Sequence, residues 1–255
     1  MLDPRKWSWK LRVLLSLPLL GALLLFYSCA IEPNWIEVTR HDVGQGSREL
    51  RILHLTDVHF STAGSRERRV LQIVAEEKPD LILLTGDNIL RDFDPAGFRD
   101  FLSSLQAPLG VFACRGNWED WVPASIDVYK SAGIRLLENA SARAGDVEMI
   151  GLNTGRDPVP AGDAPLRILL CHYPMILPAA AKADVDLVFA GHTHGGQVRL
   201  PLVGALHTPF DCGPYVMGWY EEGKTRMHVS RGVGTSIFPL RFLCRPEVAI
   251  HRVRY

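Results

Sequence analysis

The chain has no surplus of charge: 28 Lys and Arg are balanced by 28 Asp and Glu over 255 residues. No run of basic residues interleaves with aromatics either, and the two absences together exclude an electrostatic nucleic-acid binder. Cysteine is scarce. The five, at positions 29, 114, 171, 212 and 244, never fall in close pairs, which excludes a dense disulfide framework and an all-thiolate metal site. Cys114 and Cys171 close apolar runs and read as small buried hydrophobes, while a Cys212–Cys244 disulfide is open but unsupported by spacing. Internal repeats and low-complexity tracts are missing, so neither a solenoid nor a disordered chain is expected. What is left is a globular chain, 47% hydrophobic, of a length for one large domain or two small ones.

The longest apolar stretch is "VLLSLPLLGALLLFYSCAI", residues 13–31, close to the ~20 residues that cross a bilayer. It follows Arg5, Lys6, Lys10 and Arg12, opposed by Asp3 alone, and Trp7 and Trp9 flank it as interfacial aromatics do. A cleaved signal has a shorter apolar core, of about 7–15 residues. A lipoprotein site at Cys29 would have a small aliphatic residue where Phe26 stands. Residues 1–31 are therefore expected to be an N-terminal membrane anchor, with a cleaved signal and a lipoprotein as alternatives. The charge rule then puts the rest of the chain outside the cytoplasm. Residues 32–48 read as a polar linker, and 49–255 as the folded domain.

From residue 50 the pattern is regular. Strands are expected at 50–55, 80–86, 110–116, 134–138, 147–152, 166–171 and 185–191, helices at 65–78, 95–105, 123–132 and near 175–183, and shorter strands and turns from 196 to 253. The alternation implies an α/β core whose first strands pair in parallel. In such sheets functional loops gather at the carboxyl ends of strands. Those ends carry Asp57 and His59, then Gly86 and Asp87, then Gly116 and Asn117, then His172, and last Gly191, His192 and His194. Any one of these residues alone reads as a cap or an ordinary loop residue. All five strand ends on one sheet edge read as a metal site. Imidazole, carboxylate and carboxamide suit Mn, Fe or Zn. Seven ligands exceed one tetrahedral site, which points to two ions sharing a carboxylate.

The order Asp-x-His, Gly-Asp, Gly-Asn-x-Glu, His, Gly-His-x-His resembles the calcineurin-like metallophosphoesterase family, from about residue 50 to the C-terminus. "GHTHGGQ" (191–197), "VSRGVGTS" (229–236) and "RFLCRPE" (241–247) are similar to its membrane-anchored bacterial branch. The resemblance implies an α/β fold, a two-sheet β-sandwich flanked by helices. It also implies a metal-dependent phosphohydrolase with two divalent ions, manganese favoured over iron or zinc. By it, Asp57, His59 and His194 hold one ion, Asn117, His172 and His192 the other, and Asp87 bridges them. A hydroxide held between the ions would attack phosphorus, with Asp87, Asn117 and Glu119 as the catalytic residues.

One position departs from the family. In "GNWE" (116–119), Trp118 replaces the histidine expected to protonate the leaving oxygen, and an indole is a donor without acid–base function near neutral pH. Either the enzyme is weakened, or its substrate needs no general acid. A pyrophosphate bond meets the second condition, because it expels a phosphate whose second pKa is about 6. The UDP-2,3-diacylglucosamine pyrophosphatases of lipid A synthesis are similar in lacking that histidine. The expected function is hydrolysis of the pyrophosphate bond of such a nucleotide-linked lipid at a membrane. A broad cell-envelope phosphodiesterase or phosphatase, and a non-catalytic metal-binding scaffold, are the alternatives. Lipid A precursors are made on the cytoplasmic face, so this substrate stands against the charge rule. Arg115, Trp118 and Arg231 are the expected substrate contacts. "PLVGALHTPFD" (201–211) and "TSIFPLRFL" (235–243) read as packing beneath the last strands, or as a lipid-facing lip. In the lip, Phe238, Leu240 and Phe242 would enter the bilayer and Arg241 would meet anionic headgroups. The oligomeric state is open.

Overall fold

A computed structural model describes residues 9–123 and 125–255. Arg5, Lys6 and Trp7, expected before the membrane segment, lie outside the described residues, as do the side chains of Lys10 and Arg12. The helices are α1 (Trp9–Phe26), α2 (Ser65–Glu77), α3 (Pro95–Ser103), α4 (Asn117–Trp121), α5 (Ser125–Ser131) and α6 (Leu177–Lys182). Strands β1 (Glu37–Gly44), β2 (Glu49–Leu55), β3 (Leu81–Thr85), β4 (Val111–Cys114) and β5 (Arg135–Leu136) belong to one sheet. β6 (Ala140–Ala144), β7 (Val147–Leu152), β8 (Leu166–Cys171) and β9 (Leu187–Ala190) belong to a second. A small ladder joins β10 (Arg199–Leu200) to β11 (Gly204–Ala205), and β12 (Gly218–Glu222), β13 (Thr225–Val229) and β14 (Glu247–Arg254) follow.

The order is β1-β14-β2-β3-β4-β5 in the first sheet and β12-β13-β9-β8-β7-β6 in the second. β2 to β5 run parallel, since a helix returns the chain between successive strands. Their side chains alternate with the pleat. Leu53, Leu55, Ile82 and Leu84 meet Val70, Ile73, Phe98 and Phe101 of the helices. Ile52, Leu81, Leu83 and Phe112 meet Met149, Ile168, Leu170 and Phe189 of the other sheet. Leu177 and Ala180 of α6 cover the far face against Leu169 and Val188. The expected α/β sandwich of two sheets with helices outside is the fold. Each large aliphatic or aromatic side chain buried this way contributes roughly 1.5–3 kcal/mol.

Two strands were not foreseen. Residues 37–44, expected in a linker, pair in parallel with β14 from Glu37↔Glu247 to Gly44↔Arg254, so the linker reading is corrected and the folded unit begins before residue 49. "EVTRHDVG" buries only Val43 fully, and an edge strand with one sheltered face lacks the apolar run that marks an inner strand. β6, "ASARA", has no buried residue and no branched apolar side chain.

α1 is apolar on every side, and Leu14, Leu17, Leu20 and Leu25 stand more than half exposed. Among the described residues one stretch, Ser16–Asn34, is long and apolar enough to cross a membrane. A π turn (Tyr27–Ile31) and a 3₁₀ turn (Glu32–Asn34) end it against the domain. There the buried Glu32 carboxylate accepts the amides of Leu243, at 2.9 Å, and Cys244. Arg241 N–H donates to Ser28 O at 2.9 Å, and the Arg245 guanidinium lies 4.1 Å above the Trp35 ring. The apolar helix is thus fixed at its end to residues 241–245. All five cysteines are unpaired; Cys114 and Cys171 are buried as expected, and no disulfide joins Cys212 to Cys244.

Candidate metal centre

Asp57 and His59 follow β2, Asp87 follows β3 and Asn117 follows β4, whereas His172 follows β8 and His192 and His194 follow β9. The strand ends therefore come from both sheets rather than one sheet edge, and they face each other across the sandwich. The loops are laced together by the backbone: Asp57 N–H donates to Gly86 O, His59 N–H to Asp87 O and Val233 N–H to Thr56 O. Asp57, His59, Asp87, His192 and His194 all adopt left-handed φ, between 47° and 72°. Non-glycine residues avoid that region, and its occurrence clusters at functional sites. Two glycines permit the approach. A Cβ on Gly191 would collide with Thr56 Oγ1 and an Asp57 carboxylate oxygen, and one on Gly116 would collide with Asp87 Oδ1.

Two groups able to hold a cation result: Asp57, His59 and His194, then Asp87, His172 and His192, with the ligand atoms of each within 4.8 Å of one another. His59 Nε2 lies 3.1 Å from His194 Nε2, and His192 Nδ1 lies 3.1 Å from His172 Nε2. Backbone carbonyls set two of the tautomers. His172 Nδ1–H donates to Thr85 O and His192 Nε2–H to Phe210 O, both at 2.8 Å. In the neutral rings the opposite nitrogens would turn their lone pairs to the cluster, the arrangement metal-bound histidines use. Asp57 accepts the His192 amide at 3.0 Å and the Thr56 hydroxyl at 2.9 Å. Asn117 Oδ1 and His59 Nδ1 are buried without a partner.

The electrostatics call for positive charge. Burial pushes the Asp57 carboxyl up to about 7, with Asp87 adding to the rise. Burial pushes His59 and His192 down to about 4 each, and His194 well below its usual value. His172 alone rises, to about 10, because the Asp87 and Asp57 carboxylates outweigh the burial that opposes them. Two buried carboxylates among mostly neutral imidazoles, with an orphaned amide oxygen beside them, suit divalent cations.

Other expected site residues stand differently. Glu119, expected to be catalytic, is fully buried and has both oxygens engaged. It accepts Asp87 N–H and Gly116 N–H at 2.9 Å each, and Asn88 N–H and Tyr129 O–H at 2.8 Å each. It positions the Asp87 loop against Gly116-Asn117 and has no free oxygen for a reaction. Trp118 donates its amide to Asp87 Oδ1 at 2.9 Å, and its ring stands edge-on to His59 with centroids 5.2 Å apart. Arg115 is paired with Asp120 and Glu138, and Arg231 with Glu37 and Glu247, so the phosphate contacts expected of them would each break ion pairs. Arg241, expected at lipid headgroups, is fully buried and donates to the carbonyls of Arg231, Gly232, Gly234 and Cys244. A guanidinium has five donors, and here the turn behind His194 consumes them.

Sequence reasoning missed Tyr173 and Gln197. The Tyr173 ring packs on both His172 and His192, at 5.2 and 4.9 Å between centroids. Gln197 donates to Ser236 O and Phe238 O and accepts Ser236 N–H, fastening the 236–238 loop to the "GHTHGGQ" turn. That loop borders a cavity of about 490 Å³ lined by His192, His194, Leu206, Ile237, Phe238 and Leu240.

The Arg231 partner carries a pH prediction. Glu247 is held down to about 2: burial would raise it, but His228, Arg231 and hydrogen bonds to the ionised form prevail. A depressed carboxylate stabilises the fold above its unfolded value of 4.5, and that stability drains away as pH falls from there towards 2. Glu247→Gln is expected to cost about 3 kcal/mol more at pH 6 than at pH 2. Urea unfolding of both proteins across that range checks it.

Fold and clusters together define a metal-dependent phosphohydrolase. The calcineurin-like phosphoesterase family model matches residues 50–196, and the chain belongs to that family. It is 36% identical over 240 residues to the phosphodiesterase YaeI of Escherichia coli (strain K12), covering 86% of this chain and 88% of that one. It is 31% identical to the uncharacterized metallophosphoesterase YkuE of Bacillus subtilis (strain 168), covering 89% of each. With the UDP-2,3-diacylglucosamine pyrophosphatase LpxG of Chlamydia trachomatis it shares 24% identity, over 88% of this chain and 91% of that one.

Proposed function

We propose that the chain is a membrane-anchored hydrolase that cleaves the pyrophosphate bond of a nucleotide-linked lipid such as UDP-2,3-diacylglucosamine. The observation that carries this is the apolar lip beside the metal centre. Ile237 and Phe238 are 80% and 66% exposed, they border the cavity that reaches His192 and His194, and the same loop continues into the segment that grips the end of the apolar helix. A helix in the bilayer would hold that lip at the interface, where acyl chains are available.

In this reading Asp57, His59 and His194 hold one cation, Asn117, His172 and His192 hold the second, and Asp87 serves both, with manganese the first choice. Bound there, the pair neutralises phosphoryl charge and brings the pKa of water towards ~7. Thr85 O and Phe210 O hold a proton on the far nitrogens of His172 and His192, so the neutral rings would turn Nε2 and Nδ1 towards the cations. Asp57 holds the His192 backbone, and Glu119 holds the Asp87 loop. Trp118 covers His59 and donates no proton. The leaving group must then depart as a stable anion, which a nucleoside phosphate does and an alkoxide does not. The relative named as a UDP-2,3-diacylglucosamine pyrophosphatase supports this chemistry. The higher identity to a phosphodiesterase favours a second reading, a broader diesterase of the cell envelope.

Ile237→Asp with Phe238→Asp is expected to raise KM for the detergent-dispersed lipid ~10-fold or more, at roughly 0.8 kcal/mol lost per methylene-sized contact. Turnover of a soluble diester should not change. An equal loss on both substrates would contradict the lip. For the missing acid, Trp118→His is expected to raise hydrolysis of glycerol phosphate ~100-fold, the lower end of the ~10²–10⁴-fold that a positioned proton donor contributes. No gain on that monoester would refute the role given to the indole.

A further inference from the structure

Between the sheets lies a second set of imidazoles, three of them fully buried and His41 half-buried at the edge. Four of the chain's nine histidines meet there: His41 on β1, His54 on β2 and His251 on β14 of one sheet, and His228 on β13 of the other. Register explains the convergence. His41 pairs with His251, which pairs with Ile52, two residues from His54 on the same face. His228 crosses from the opposite sheet, its ring 4.7 Å from that of His251 and 4.8 Å from that of His41. Phe189 packs on both His54 and His251, while Glu247 lies near His228.

A core of this kind ordinarily takes aliphatic side chains, and buried polar atoms there are ordinarily paired. These are not. His54 Nδ1, His228 Nδ1, both ring nitrogens of His251 and His41 Nε2 are buried without a partner. The remaining contacts engage the far nitrogens. His54 Nε2 is 2.7 Å from Thr85 Oγ1, which leaves Nδ1 free. His228 Nε2 faces Glu247 Oε1 at 3.9 Å, which again leaves Nδ1. Burial also keeps the rings neutral: it pushes His54 down to about 3 and His228 to about 4, and His251 well below its ordinary value.

We propose that His54, His228 and His251 form a third metal site, for a transition-metal ion of zinc type, that shares no residue with the phosphohydrolase centre and ties the two sheets together. Their ligand nitrogens already lie within 4.8 Å of one another, and a tetrahedral zinc site needs about 3.3 Å between nitrogens at Zn–N distances of about 2.0–2.1 Å. Small ring rotations close the difference. Three neutral imidazoles suit zinc, copper and nickel better than the oxygen-seeking magnesium or calcium.

The test is a count of zinc per chain in the full-length protein in detergent, after saturation with Zn²⁺ and desalting. A variant carrying Asp57→Asn, Asp87→Asn, His172→Ala and His194→Ala, which leaves no more than one imidazole at either position of the phosphohydrolase centre, is expected to keep one equivalent. That equivalent should vanish when His228→Phe and His251→Phe are added. Zero zinc in the first variant, or zinc unchanged by the histidine substitutions, overturns the site. His228→Phe with His251→Phe in the otherwise native chain should lose one equivalent while diester turnover persists, which separates a lost ion from a lost fold. Unchanged zinc content in that active variant overturns the proposal as well.

Discussion

Asp87→Asn is expected to reduce turnover of a phosphodiester by ~10³-fold or more, about 4 kcal/mol of transition-state stabilisation, while the fold persists. Asp87 Oδ2 lies 3.2 Å from His172 Nε2, and its Oδ1 accepts the Trp118 amide at 2.9 Å. An asparagine keeps that amide bond through Oδ1, and its backbone still reaches Glu119. What it removes is the charge that two cations would share. Without metal the variant should unfold somewhat earlier than the native chain, because it loses the buried Asp87–His172 ion pair, which holds that imidazole up to about 10, and only part of the loss is offset by relief of the repulsion between Asp87 and Asp57. Steady-state kinetics with Mn²⁺, metal content and thermal unfolding of the metal-free proteins check the three parts. Full turnover with metal content intact would remove Asp87 from the centre.

Glu119→Ala has the largest expected effect on stability. The carboxylate satisfies three amides and one phenol in the interior, and each buried donor left unpaired costs about 1–3 kcal/mol. Relaxation and water will recover part of that, so a loss of about 4 kcal/mol is expected, roughly 10 °C in Tm for a chain this long. Activity should fall as well, since the same bonds hold Asp87 against Gly116 and Asn117. Glu119→Gln keeps one accepting oxygen and should land between the two. An alanine variant as stable as the native chain would mean that these bonds do not hold the loops.

Much of this was legible in the sequence because inner parallel strands are nearly unbroken apolar runs, and each of the five polar ends stands directly after one. "RILHLTDVH", "LILLTGD" and "LVFAGHTH" announce their strands and their ligands together. β1 and β6 escaped since edge strands shelter one face, and neither "EVTRHDVG" nor "ASARA" has an apolar run. That the strand ends come from two sheets was also hidden: sequence order separates β4 from β8 without stating that the chain has crossed the sandwich. The arginines misled for a shared reason. Arg115, Arg231 and Arg241 stand beside the motifs, but their partners, Glu138, Glu247 and the carbonyls of the 231–244 turn, are brought to them only by tertiary structure. The four core histidines fall singly along the chain, at spacings that resemble no motif, and only strand register assembles them.

The pyrophosphatase reading turns on a comparison of substrates. The full-length protein with Mn²⁺, in detergent, should be given UDP-2,3-diacylglucosamine, bis-p-nitrophenyl phosphate and p-nitrophenyl phosphate side by side. Release of UMP from the lipid at a kcat/KM far above that for either artificial ester is the predicted result. Hydrolysis of the artificial diester with the lipid left intact would contradict it, and would leave a general phosphodiesterase in its place.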